Sequence, residues 1–463
     1  MRQTVSVESL ERQGTASAYD SHHPPSMELI DKCVHCGFCL PACPTYMLWN
    51  EEMDSPRGRV YLMKMGAEGG VAPMDAQFVS HFDKCLGCMA CMTACPSGVQ
   101  YGKLIEATRA QIERNYQRPL LDRLFRKLIF AVFPYPKRLR WLMLPFWFYQ
   151  RSGLRWLIRA SRLCQLFPER LRSMESLLPE IHLRALFAPV PRSVKPVGKP
   201  RLRVGVLLGC VQRVFFGGVN AATIRVLAAL GCEVIVPPSQ GCCGALMAHA
   251  GREPEALDAA RRLIEVFERA NVDVIAVNSA GCGSNMKEYA HLLRDDPEFA
   301  ERAKLLAAKC QDISELIAEI GIEMPVNPVR LKIAYHDSCH LQHAQGIRSQ
   351  PRQLLNAIPG LELIELPEAA TCCGSAGVFN LLEPETAREL ADRKAQNVIR
   401  SGAQALVSGN PGCLLHIASG LKRAGHPLPV FHIVEVIDTA LGFPGTGIAA
   451  AVNQAVSSRN FLG

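Results

Sequence analysis

From Arg201 onward the chain alternates short apolar runs with longer stretches of helical periodicity. "RVGVLLGC" predicts a buried strand ending at Cys210. A helix over about 219–230, a strand "EVIVP", the loop "GCCG" with Cys242 and Cys243, and a further helix follow; the strand "VDVIAVNSAGC" then ends at Cys282. The same order returns. "LKIAYHDSC" ends at Cys339, "LELIEL" leads to the loop "TCCG" with Cys372 and Cys373, and "QALVSGNPGC" ends at Cys413. Matching cysteines are offset by 129, 130, 130 and 131 residues, so two copies of one unit follow each other. Strand–helix alternation predicts a parallel sheet in each copy, and ligands gather beyond the C-terminal ends of such strands. Every cysteine of the repeat is expected at a strand end or in the loop after it, so four thiols per copy should meet at one rim.

Before Arg201 the pattern differs. Residues 1–26 are polar and read as a flexible tail. Residues 27–107 carry two dense cysteine groups, and residues 108–200 form a basic, aromatic connector that closes on "APVPRSVKPVGKP", a linker by composition. The copies then span 201–325 and 326–440, with a C-terminal tail at 441–463. No run of roughly 18 apolar residues occurs. "LIFAVF" and "WLMLPFWFY" are shorter and flanked by Arg and Lys.

Charge changes the picture in one place. The net charge is +8, yet Arg109 to Arg172 holds 15 Lys and Arg against Glu113, Asp122 and Glu169, a local +12 that leaves −4 for the rest. Nucleic-acid binding by the whole chain is therefore a poor reading, and no recognition-helix pattern supports it. Within "PKRLRWLMLPFWFYQRSGLRWLIRASRL", helical spacing puts Leu154, Leu157 and Ile158 on one face and Arg151, Arg155, Arg159 and Arg162 largely opposite. With Trp141, Trp147 and Trp156 nearby, this suits either the interface of an anionic bilayer or a partner protein.

Nineteen cysteines behind a start "MRQTVSVESLERQ" that lacks an apolar stretch point to metal or redox chemistry in a reducing compartment. The expectation is the cytoplasm, with peripheral contact to the cytoplasmic face of the inner membrane if the connector binds lipid. "CVHCGFCLPACP" opens at Cys33, and "CLGCMACMTACP" repeats its spacing from Cys85. The run C-x2-C-x2-C-x3-C-P is that of two-cluster ferredoxins, whose fourth Cys serves the other cluster. This assigns Cys33, Cys36, Cys39 and Cys95 to one [4Fe–4S] cluster, and Cys85, Cys88, Cys91 and Cys43 to the other. Gly37 and Gly87 suit the tight backbone path. Zinc, which prefers separate C-x2-C pairs, fits this run poorly. In "MDSPRGRVYLMK" between the quartets, Arg57, Gly58 and Arg59 read slightly better as a solvated turn than as a contact that positions the clusters or a partner.

Cys…Cys-Cys-Gly…Cys, twice, behind a double ferredoxin module resembles the CCG-domain iron–sulfur proteins, which include heterodisulfide reductase subunits. "CVHCGFC", "CPTY", "PRGR", "CPSGV", "AGCGSNMKEY", "LQHAQ" and "CCGSAG" together resemble the glycolate oxidase iron–sulfur subunits from residue 27 to 438. The implied fold is α/β: an α-helical ferredoxin module and two repeated α/β CCG domains with mostly parallel sheets. The implied role is electron transfer, without catalysis by this chain alone, from FAD-bearing partner subunits that oxidise glycolate to glyoxylate. The acceptor would be other than oxygen, with membrane quinone the expectation. A sister complex acting on L-lactate or glycerol-3-phosphate and thiol–disulfide chemistry at the CCG domains are the alternatives.

One departure stands out. Where heterodisulfide reductases supply a fifth cysteine in each copy, this chain has Asn285 and His416. Cys210, Cys242, Cys243 and Cys282, and Cys339, Cys372, Cys373 and Cys413, still offer four thiolates each. They are candidates for up to two further clusters or for sites retained only for structure. His416 and His343 are weaker candidates, and Cys164, Cys232 and Cys310 match no motif and read as buried thiols. No flavin or nucleotide fingerprint is present.

Overall fold

The computed structural model describes residues 17–69, 74–161, 167–443, 447, 448, 450 and 451. The chain forms two compact units, one comprising the region up to Pro119 with His249–Arg252, the other the remainder.

The first unit is helical. Pro56–Ala67, Ala76–Asp83 and Tyr101–Asn115 are its main helices, closed over a core that includes Ile30, Met63, Phe82, Leu104 and Ile105. The helix Tyr101–Asn115 runs past residue 107, the expected end of the cysteine-rich module, and belongs to this unit. Residues 17–26 are no loose tail. Tyr19 is buried in the core, and Asp20 binds Arg114 at 2.9 Å and Gln111 at 2.9 Å.

"SPRGR" is no solvated turn either. Ser55 caps the helix Pro56–Ala67 by accepting from the Gly58 amide at 3.0 Å, and Pro56 takes the first helical position. Gly58 lets the helix start press on the short turn Glu52–Asp54. A Cβ there would stand 1.9 Å from the Glu52 carbonyl oxygen. Arg59 is buried, which the sequence reading did not foresee, because carboxylate and carbonyl partners meet it inside.

The second unit holds both copies of the repeat. In the first, β2 (Leu202–Leu207), β3 (Cys232–Ile235), β4 (Val274–Val277) and β5 (Cys310–Asp312) pair in parallel in the order β3-β2-β4-β5. β1 (Ser193–Val194), from the proline-rich linker, adds an antiparallel edge against β3. In the second copy β6 (Leu331–His336), β7 (Leu361–Glu365), β8 (Ala405–Ser408) and β9 (Val430–His432) repeat the parallel order as β7-β6-β8-β9. The central strands β2, β4, β6 and β8 are largely buried on both faces, as parallel sheets require, whereas the edge strand β7 is not.

The copies share a core. The helix Gly217–Ala229 of the first packs against Ile433–Ala440 of the second, and Ile313–Ile320 of the first packs against Ser349–Asn356 of the second, a reciprocal exchange. Arg225 and Asp438 bridge the first contact at 2.6 Å. Of the expected C-terminal tail, Leu441, Ile448 and Ala451 are buried in this core.

The connector folds as helices Leu120–Val132, Pro136–Arg151, Leu154–Ala160 and Glu169–Leu177. Its expected amphipathicity is kept only in part: Arg151 is exposed and Ile158 half-buried, as expected. Arg155 turns inward to Glu175 at 3.2 Å, whereas Trp156 and Leu157 are exposed, because an acidic partner twenty residues on captures the guanidinium. The side chains of Arg159 and Arg162 lie outside the described residues. Among the described residues no helix is long and apolar enough to cross a membrane.

Candidate metal centres

Both quartet loops share one backbone device. His35 and Gly37 in the first, and Gly87 and Met89 in the second, occupy equivalent positions with positive φ. Alternating left-handed residues curl the chain so that successive amides face inward, a concavity suited to an anionic cluster. Gly37 also lies against Arg57, whose guanidinium would stand 2.8 Å from an added Cβ. Arg57 is tied to Glu52 at 2.6 Å and to the His35 carbonyl at 3.2 Å.

The last cysteine of the first run lies with the first three of the second. Cys43, Cys85, Cys88 and Cys91 line one cavity together with Pro44, Thr45, Arg59, Leu86, Met89 and Tyr101. All four of these cysteines are buried, whereas Cys33, Cys39 and Cys95 are half-buried and Cys36 is exposed. Four thiols around an otherwise largely apolar cavity fit an iron–sulfur cluster and would make a poor site for a hard cation.

A buried polar layer backs this cavity. Arg59 donates to the His81 carbonyl at 2.6 Å and to Thr45 Oγ1 at 3.2 Å, and pairs with Asp54 at 3.4 Å. Asp54 also meets His81 Nδ1 at 2.9 Å and Lys84 at 3.2 Å. Thr45 lies 3.2 Å from the Cys43 sulfur, and the Tyr101 hydroxyl 3.5 Å from that of Cys85. Burial opposes ionisation of Cys85, but the guanidinium groups of Arg59 and Arg109 outweigh it and hold the thiol below its usual range; Cys91, with no such neighbour, is pushed well above it by burial. Arg109 reaches the carbonyls of Phe82, at 3.1 Å, and Cys85. Thr45, Asp54 and Tyr101 escaped the sequence reading, although "CPTY" places Thr45 two residues after Cys43.

In the second unit the repeat's cysteines gather at the expected rim. β2 and β4, and likewise β6 and β8, are adjacent strands whose connections leave in opposite directions, which opens a crevice beyond their C-termini. Cys210 and Cys339 follow β2 and β6. Cys282 and Cys413 correct the expectation of strand ends and loops: they sit in the first turn of the helices Ala280–Lys287 and Pro411–Arg423, where the helix dipole favours thiolate. Cys210 donates to the Cys242 sulfur at 3.4 Å. In each copy the first thiol of the pair, Cys242 or Cys372, is held well below the usual range by hydrogen bonds from Cys210 or Cys339, and the second, Cys243 or Cys373, is driven well above it. These sets, buried except for the half-buried Cys282, also offer donors that suit iron or zinc rather than a hard cation.

The substituted fifth positions point elsewhere. Asn285 donates to the Cys243 carbonyl at 2.8 Å, alongside the Tyr289 hydroxyl at 2.5 Å, and His416 bonds the Ala387 carbonyl through Nε2 at 2.9 Å. His343 Nε2 meets the Ala370 carbonyl at 3.0 Å. Instead the structure brings His336 to the cysteines: one ring nitrogen and the sulfurs of Cys373 and Cys413 lie within 4.8 Å of one another, all buried. Cys232 and Cys310 are buried thiols as expected; Cys164 lies outside the described residues.

Comparison with known proteins agrees with this layout. A 4Fe-4S dicluster domain model matches residues 29–99, a cysteine-rich domain model matches 204–287 and again 333–418, and a model of the glycolate oxidase iron–sulfur subunit linker region matches 121–178. A probable glycolate oxidase iron–sulfur subunit of Bacillus subtilis (strain 168) is 38% identical over 89% of this chain and 94% of its own. The chain belongs to the glycolate oxidase iron–sulfur subunit family. The Escherichia coli (strain K12) glycolate oxidase iron–sulfur subunit is 34% identical over 95% of this chain and 99% of its own. Lactate utilization protein A of Exiguobacterium sp. is 34% identical over 51% of this chain and 96% of its own. Membership makes this an electron-transfer subunit of an oxidoreductase.

Proposed function

We propose that this subunit carries electrons away from partner subunits whose FAD oxidises glycolate to glyoxylate, and delivers them to an acceptor other than oxygen, a membrane quinone. Cys85, Cys88, Cys91 and Cys43 would hold one [4Fe–4S] cluster, and Cys33, Cys36, Cys39 and Cys95 the other. The observation that supports the ligand assignment is the cavity that Cys43 shares with Cys85, Cys88 and Cys91. When bound, such clusters supply one-electron carriers, which convert the two-electron oxidation of a hydroxy acid into single transfers.

The chain's own residues would tune and gate this. Arg59 and Tyr101 present positive charge and a hydrogen-bond donor to the buried set, which favours the more negative, reduced state. Cys36 is exposed between exposed Val34 and Phe38, so the other set offers a solvent-facing port for a redox partner. The CCG cysteines would form further stations. Their two sites are neighbours, since the helix carrying Cys282 packs on the turn after Cys339, with His340 Nδ1 3.1 Å from Ser284 and Gln345 donating to the Ala280 carbonyl at 3.0 Å.

The connector supplies a docking face. Leu121, Leu124, Leu128, Trp156 and Leu157 are exposed in a segment rich in arginine. Flotation with anionic liposomes should be lost in a Trp156→Glu, Leu157→Glu variant if that face meets lipid.

The deciding experiment is low-temperature EPR on the complex purified without oxygen. Reduced cluster signals should appear with glycolate and not with L-lactate or glycerol-3-phosphate. Reduction by another donor alone would overturn the substrate assignment while leaving electron transfer intact.

A further inference from the structure

Among the buried positions at which the two CCG copies differ, one lies at a strand end beside the thiols. β6 ends on His336 where β2 ends on Leu207, and their partners across the sheet are Ser408 and Val277. The first copy therefore has an apolar floor beneath its thiols and the second a polar one. His336 is fully buried, and neither ring nitrogen has a nitrogen or oxygen partner. Its polar neighbour is the Cys413 thiol, where the first copy places leucine and makes no such contact.

What His336 does face is sulfur. Its ring nitrogen and the sulfurs of Cys373 and Cys413 lie within 4.8 Å of one another. This spacing suits three donors on one tetrahedral metal atom, with metal–sulfur bonds near 2.3 Å and metal–nitrogen bonds near 2.0–2.1 Å. The neighbourhood holds the thiols ready. Asn410 donates to the Cys413 sulfur at 3.2 Å, and the Ser408 hydroxyl donates to the His336 carbonyl at 3.0 Å while standing 2.9 Å from Ser338 Oγ, which fixes the strand end that carries the imidazole.

We propose that His336 is a nitrogen ligand to iron in the second CCG site, sharing one iron atom with Cys373 and Cys413. The two copies thus hold unlike centres, one all-thiolate and one of mixed sulfur and nitrogen. His336 would stand beside the four thiols of its copy as an added neutral donor, one that the first copy, with Leu207 at the equivalent position, lacks. The inference rests on the reading that the CCG thiols bind iron.

The test is pulsed EPR on the anaerobically purified complex, with and without 15N-histidine labelling, combined with iron analysis. Iron above the roughly eight atoms that two [4Fe–4S] clusters contain is expected, as is a directly bound histidine nitrogen whose coupling shifts on labelling. That coupling should vanish in His336→Leu, which copies the first site, while the ferredoxin-type signals remain. Iron near eight would overturn the underlying reading. Iron above eight with no histidine coupling in any redox state of the wild type, or coupling that persists in His336→Leu, would overturn the role of His336 alone. The wild-type spectrum decides the matter even if the variant does not fold.

Discussion

Gly244 and Gly374, 130 residues apart, adopt the same left-handed backbone, with φ of +91° and +89°, and each closes on a carbonyl of the following long helix. A Cβ on Gly244 would stand 3.1 Å from the Ala256 oxygen, and one on Gly374 only 2.7 Å from that of Ala387. The Gly244 amide also donates to the Cys242 sulfur at 3.4 Å. The glycine of each CCG motif is thus what lets the cysteine pair turn back over the sheet. Gly374→Ala should cost about 1–3 kcal/mol for the backbone strain alone, and more from the short contact. Gly244→Ala, with room to give, should cost less. Thermal unfolding of both variants would show the order, and equal losses would refute this account.

Arg59 and Asp54 form a buried pair whose removal is expected to do two things. Arg59→Met leaves Asp54 with only His81 and the more exposed Lys84, and breaking a buried pair costs about 3–5 kcal/mol. It also strips positive charge from beside Cys43 and Cys85, so the reduction potential of the buried centre should fall. Redox titration followed by EPR would register the shift. A variant that unfolds more easily yet keeps its potential would confine Arg59 to a structural role.

Asp312 and His432 are equivalent caps with opposite proton preferences. Each ends the last strand of its copy, accepts an amide of the following helix, and is joined by a glutamate in a reciprocal capping pair. Burial raises Asp312 to about 6 and lowers His432 to about 4. For Asp312 the folded state holds its proton more tightly, so its contribution is full below pH 3.8 and is lost as pH rises through 6. For His432 the contribution is full above pH 6.5 and is lost as pH falls through 4. Each amounts to about 3 kcal/mol, and between pH 4 and 6 they largely offset one another. Asp312→Asn should therefore lose stability more steeply than wild type on acidification from pH 7 to 4.5, whereas His432→Asn should gain. Urea unfolding across that range checks both slopes, and parallel slopes would refute the pairing.

Much of this layout was legible because it repeats. Offsets near 130 marked the copies, the strands and the cysteine rim, and the doubled ferredoxin run marked the dicluster domain. What stayed hidden depends on partners brought from elsewhere in the chain. Arg59 reads as a surface residue until Asp54, His81 and Thr45 converge on it, and Arg155 reads as solvated until Glu175 turns it inward. Cys282 and Cys413 read as strand ends, although "NPGC" places a proline at a first helical turn, where it suits a helix start. His336 differs from Leu207 by one position in an otherwise apolar strand, and only sheet register shows that the two are equivalent.

The crossed quartets make a prediction that separates them from two local, uncrossed sites. Cys43 ends the first quartet in sequence but lines the cavity of the buried Cys85, Cys88 and Cys91. Cys95 ends the second quartet, yet its charge is felt at Cys33, whose thiol is raised chiefly by burial and then by Cys95 and Cys36. The two centres should therefore differ in exposure, the one with Cys36 being open to solvent. Cys43→Ser should alter the signal that is insensitive to a soluble paramagnetic relaxer, and Cys95→Ser the signal that such a relaxer broadens. Uncrossed ligation would give the reverse, with Cys43→Ser striking the exposed centre. The same spectra would show whether each serine variant keeps its untouched centre, which a general collapse of the fold would not allow.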